Sequence, residues 1–74
     1  MTVKPGIYEH YKGKKYEVLG IGKHSETLED LVFYEAQYKN ELSQLWARPV
    51  KLFTDEVEVL GKKVPRFRYI DKDK

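Results

Sequence analysis

The stretch "KHSETLEDLVFYEAQY", residues 23–38, constrains this chain more than any other, because it admits two incompatible readings. As a helix, Leu28, Leu31, Val32, Glu35, Tyr38, Leu42 and Leu45 lie near one face, and Thr27 with Asp30 resembles a capping box. That arrangement leaves Phe33 and Tyr34 projecting into water. As a strand, Val32, Tyr34, Ala36 and Tyr38 share one face, while Phe33, Glu35, Gln37 and Lys39 share the other. Val, Phe and Tyr also suit a pleated surface better than a helix. The reading taken is a central strand over Leu31–Tyr38, with Asn40 opening the loop "NELSQ" before a strand at Leu45.

Turn signals on either side extend the β pattern. Lys12-Gly13 separates "GIYEHY" from "KKYEVLGIG" and reads as a hairpin turn, where glycine supplies the positive φ. Gly61 turns Val57–Leu60 back onto Val64–Ile70. Pro65 cannot donate to a ladder, which puts the start of the last strand on an edge or at a bulge. Pro49 in "LWARPVKLF" suggests a bend between two short strands. With no cysteine among 74 residues, no disulfide or thiolate-held metal can stabilise so short a chain. Its core must rest on six Tyr, three Phe and one Trp, with Val18, Val32, Trp46, Phe53 and Phe67 expected inside. The expectation is one all-β domain spanning 1–74, a small closed or nearly closed barrel of five to six short antiparallel strands. Its ordered part runs over about residues 4–70, with the polar ends Met1–Lys4 and Asp71–Lys74 frayed.

Net charge, +2, does not by itself argue for a nucleic-acid partner. Its distribution is uneven: residues 1–23 and 47–70 are basic and residues 24–46 acidic, a pattern that cross-strand pairing can explain. No apolar stretch approaches a membrane span, and the N-terminus "MTVKPGIYEHY" lacks a signal peptide's apolar segment. The sequence therefore reads as a soluble cytoplasmic protein.

The words "HYKG", "HSET", "WARP" and "PRF", in this order and at these spacings, resemble a bacterial family of small stand-alone domains, domain of unknown function 1653. The resemblance runs from Lys4 to Ile70, and the Glu that follows "HSET" after one residue stands at Glu29. It implies an SH3-like β-barrel and no particular activity.

The same words supply the candidate site. His24 can donate and accept a proton near neutral pH and could equally be a turn histidine bonded to backbone. Thr27 and Glu29 are polar groups of the same word. Arg48 and Arg66 carry planar forks suited to carboxylate or phosphate, and each stands beside an aromatic, Trp46 or Phe67, while Tyr34 offers a stacking wall. The expected site comprises His24, Thr27, Glu29, Tyr34, Trp46, Arg48, Arg66 and Phe67. It would serve a non-catalytic binding module for a protein partner or small anionic ligand, the molecule being a monomer or weak homodimer. A nucleic-acid module is one alternative, favoured if the basic residues of the first and last thirds merge into one patch. A small hydrolase using His24 with Glu26 or Glu29 is another. No metal or cofactor is expected: His10 has no ligand-like spacing to His24, and no nucleophile elbow or phosphate loop is present.

Overall fold

A computed structural model describes residues 3–39 and 41–71. The fraying expected at Met1, Thr2 and residues 72–74 and the loop start expected at Asn40 lie outside the described residues. The chain runs β1 (Gly6–His10), β2 (Lys15–Lys23), β3 (Asp30–Ala36), β4 (Leu45–Pro49), one helical turn α1 (Val50–Phe53), β5 (Glu56–Val59), β6 (Lys62–Pro65) and β7 (Phe67–Asp71). Strands β4-β3-β2-β1-β7 form one antiparallel sheet, and β5 with β6 forms a separate two-stranded one.

The disputed run is the interior strand β3. Val32, Tyr34 and Ala36 are buried on one face, while Leu31, Phe33 and Glu35 are half-buried on the other. The strand ends at Ala36, so Tyr38 lies beyond it. Gly13 turns β1 into β2 at φ 103°, as the Lys12-Gly13 signal predicts. Cross-strand pairing puts Val18 beside Tyr34, Tyr34 beside Trp46, and Val32 beside Arg48. Side chains directly opposite one another share a face, so Arg48 is carried onto the inner face with the core.

Val18, Val32, Phe53 and Phe67 are buried as expected; Trp46 is only half-buried, packed against that cluster. Val3 is buried too, so the core reaches into the end Met1–Lys4 expected to be frayed. Phe53 and Phe67 stack with ring centroids 4.1 Å apart and planes 4° from parallel. Tyr8, Tyr34 and Tyr16 surround this pair edge-on.

Three local expectations are corrected. The closed barrel is not completed by backbone: among the described residues no ladder joins β4 to β7, the sheet's two edges. In a flat sheet those edges would lie about 19 Å apart at ~4.8 Å per strand. Yet the Arg48 guanidinium carbon of β4 lies 5.7 Å from the Phe67 ring of β7, so the sheet curls and side chains fill the gap. Second, "VKLF" is a helical turn rather than a strand. Pro49, which has no N–H, ends β4 there, and α1 delivers Phe53 into the gap. Third, the Val64–Ile70 run is two strands, broken at Arg66, with Pro65 at the end of an edge strand. Among the described residues seven strands result instead of five or six.

The β5–β6 turn carries strain. Leu60 and Gly61 both have positive φ, 52° and 80°, between the paired residues Val59 and Lys62. This is the two-residue hairpin geometry that favours Asn-Gly, and a leucine there has its Cβ crowded. Leu60 is 98% exposed, so no packing compensates. Replacing Leu60 by Asn is expected to raise stability by about 0.5–1 kcal/mol, seen as a melting temperature several degrees higher. An unchanged or lower melting temperature would contradict the strain.

Candidate functional site

The word His24-Ser25-Glu26-Thr27 closes the β2–β3 hairpin. The backbone N–H of Glu26 and of Thr27 both donate to the His24 Nδ1, at 3.1 and 3.3 Å. Glu29 donates its N–H to the Thr27 hydroxyl at 3.2 Å, and backbone bonds join His24 to Glu29 and Leu28. Leu28 takes the left-handed conformation that lets the chain reverse. The ring thus acts as an acceptor for turn N–H groups that would otherwise have only water. No hydrogen bond links His24 to the carboxylate of Glu26 or Glu29. Glu29 instead lines a small cleft of about 230 Å³ with Asp30, Val50 and Lys51. Counting strand spacings from the pairing register places the His24 backbone roughly 14 Å from that of Arg48. His24, Thr27 and Glu29 therefore form one local structure, and no hydrogen bond or ion pair joins them to the arginines.

The other members do gather. Arg48 donates from Nε to the Tyr34 hydroxyl at 3.4 Å, and its guanidinium lies over the Phe67 ring. Among the described residues no carboxylate lies within ion-pair distance of it. Trp46 lies beside Tyr34 on the same face, its buried Nε1 without a protein acceptor. Arg66 grips Asp55 with a two-pronged contact, Nε to Oδ1 at 2.7 Å and Nη2 to Oδ2 at 3.1 Å. Its backbone is bonded as well, donating to the Asp55 carbonyl and accepting from the Tyr11 N–H. One residue thereby ties the segment before β5 to the β1–β2 turn.

Two residues that the sequence reading left out complete the surface: His10 and Tyr11. His10 pairs with Phe67 across β1–β7, its ring 4.9 Å from that of Phe67 and 4.6 Å from that of Tyr11. The Lys12 N–H donates to its Nδ1 at 3.2 Å. Burial, followed by the positive charges of Arg66, Arg48 and Lys12, pushes the His10 imidazole below its ordinary value. Contacts agree: Lys12 bonds to the His10 ring, Arg48 lies over the Phe67 ring that His10 touches, and Arg66 immediately precedes Phe67, the strand partner of His10. Beside it, the Tyr16 and Tyr38 hydroxyls share a 2.6 Å hydrogen bond; burial and that bond raise the Tyr16 phenol. A groove of about 370 Å³ opens next to His10, lined by Tyr11, Val59, Val64 and Pro65 and by the paired Glu9 and Arg68. The signal for His10 is its place in "EHYKG", next to the hairpin turn. Its neighbours come from other strands and are not visible locally.

With this geometry in hand, comparison with known proteins is informative. The profile of the family described as "Protein of unknown function (DUF1653)" matches residues 6–69, and the chain belongs to that family. It is similar to the crystal structure of a protein belonging to the same family from Bordetella bronchiseptica, at 32% identity and a TM-score of 0.89. The likeness covers 93% of this chain and 88% of the other. No curated protein matches. No helix among the described residues is long and apolar enough to cross a membrane, and no group of three metal-ligating side chains occurs among them.

Two outcomes follow from the local geometry. His24→Ala removes the acceptor for two turn N–H groups and is expected to cost about 0.5–1.5 kcal/mol, with His24→Asn recovering part of it; equal denaturation midpoints for His24→Ala and its parent would refute the turn role. For Asp55, the hydrogen bond from Arg66 holds the carboxyl below its usual value. A depressed folded-state value contributes stability in full above the unfolded value of about 3.9, and this is lost as pH falls through the folded value. The stability difference between the parent and Asp55→Asn should thus shrink as pH drops below about 4. A difference that stays constant from neutral pH to pH 2 would count against it.

Proposed function

We propose that the protein is a non-catalytic binding module, built on an incompletely closed small barrel of the SH3-like kind. It holds an anionic group of a small ligand or protein partner against Arg48, Arg66 and His10. The observation that supports this most is Arg48: a guanidinium carried onto the inner face, set between the Tyr34 hydroxyl and the Phe67 ring, with no carboxylate beside it among the described residues. A half-buried cation without a counter-charge is costly to maintain, and its remaining N–H groups suit an incoming carboxylate or phosphate. Arg66 and Lys12 raise the local positive potential further, as the depressed imidazole of His10 reflects. Of the residues expected from sequence, Tyr34, Trp46, Arg48, Arg66 and Phe67 belong to this reading. His24, Thr27 and Glu29 support the hairpin instead.

The hydrolytic reading loses its basis with the His24 turn, because Nδ1 is engaged by backbone N–H groups and no carboxylate orients the ring.

The test is an amide chemical-shift titration with pyrophosphate. Shifts are expected at His10, Arg48 and Arg66, and Arg48→Met should abolish them while changing stability by no more than about 1 kcal/mol, since methionine keeps the aliphatic packing. Binding should also raise the His10 imidazole toward its ordinary value, because an anion relieves the repulsion from the three cations. By linkage, binding then tightens as pH falls through the range in which His10 titrates. An imidazole titration unmoved by saturating pyrophosphate would overturn the assignment.

A further inference from the structure

His10 joins two features: it lies beside Lys12 and the Phe67 ring that Arg48 covers, and it lines the neighbouring groove. Lys12 and Lys14 come from the β1–β2 turn, Arg48 from β4, and Arg66 from the joint between β6 and β7. These are basic residues from the first and last thirds of the chain, brought together by the β1–β7 pairing. The only carboxylates facing this cluster in the contacts described are Asp55 and Glu9, and each is paired to an arginine, Arg66 and Arg68 respectively. The Lys12 and Lys14 ammonium groups lie 5.8 and 4.8 Å from the ring centroids of Tyr11 and Tyr38. Tyr11 is 39% exposed, stands on the groove wall and is backed by the tilted ring of His10. Val59, Val64 and Pro65 give the groove an apolar part beside the paired Glu9 and Arg68, and its volume of about 370 Å³ falls within the small-ligand range.

An acidic peptide without aromatic residues would use the cations but has no ring to stack on Tyr11. A phosphodiester strand has both parts: phosphates for the lysines and arginines, and an unpaired base with two π-faces for Tyr11. Base stacking on aromatics beside a basic track is the general mode of single-strand recognition. Resting on the anion-binding reading above, we propose that this surface binds single-stranded nucleic acid, seating phosphates along Lys12, Lys14, Arg48 and Arg66 and one base in the Tyr11 groove. Because the groove's Glu9 and Arg68 are paired to each other, stacking on Tyr11 and contact with Val59, Val64 and Pro65 dominate, and recognition is tolerant of base identity.

The experiment measures binding of a labelled short oligothymidylate by fluorescence anisotropy, against an abasic strand of equal length, a polyglutamate peptide and pyrophosphate. The oligothymidylate should bind with a log–log salt slope of about −2, as for three neutralised phosphates on a single strand. The abasic strand and the peptide should bind at least about fivefold more weakly. Tyr11→Ala, with Tyr11→Leu as a second variant that keeps apolar bulk, should bring the oligothymidylate down to the level of the abasic strand. The Arg48 shift with pyrophosphate serves as the control that the anion site persists in both variants. If pyrophosphate still perturbs His10 and Arg48 but the oligothymidylate binds no better than the abasic strand, or polyglutamate binds more tightly, the nucleic-acid assignment falls and the anion site stands. If none of the four probes binds, both fall.

Discussion

The stack of Phe53 on Phe67 is the contact on which the rest of this molecule depends. The five-stranded sheet has two edges far apart in strand order, and no backbone ladder joins them among the described residues. What brings them together is a face-to-face ring pair at 4.1 Å, one ring from the helical turn after β4 and one from β7. A chain of this length cannot afford an uncovered sheet face. The edge-on tyrosines around the pair extend the interior with favourable ring geometry. Aromatic area thus substitutes for the disulfides that small domains often use.

The same closure creates the proposed binding surface. Curling the sheet carries Phe67 under Arg48, and the β1–β7 pairing carries His10 beside Phe67. Arg66, at the break between β6 and β7, is held by Asp55 and by backbone bonds to Asp55 and Tyr11. Charges separated by dozens of residues therefore meet around one imidazole. The arrangement concentrates positive potential without relying on net charge, which is small.

Features governed by neighbouring residues were legible in the sequence, and features governed by distant ones were not. The alternation of Val32, Tyr34 and Ala36 and the glycines at 13 and 61 declare strands and turns because each signal is local. "VKLF" is too short to display a helical period, and its preceding proline reads equally as a bend or a helix start. The split at Arg66 follows from which sheet each half joins, a tertiary choice. For the site, the chemistry of Arg48, Arg66, Tyr34 and Phe67 was visible in their side chains, but the grouping was not. His24 drew attention because histidine beside Ser, Glu and Thr resembles a reactive cluster, and the same composition makes a self-bonded turn. His10 looked ordinary because everything that distinguishes it comes from other strands.

The junction at Arg66 has a consequence for how the molecule opens. Strands β5 and β6 pack chiefly on one another, and hydrogen bonds flanking them converge on Arg66 and Asp55. A two-stranded ribbon of this size has little stability of its own. It is therefore the natural unit of sub-global unfolding, able to swing away and exchange its amide hydrogens while the five-stranded sheet stays protected. Val59, Val64 and Pro65 belong to that ribbon and line the groove. The groove thus exists only while the ribbon is docked, and any occupant that touches both sides slows amide exchange in residues it never contacts.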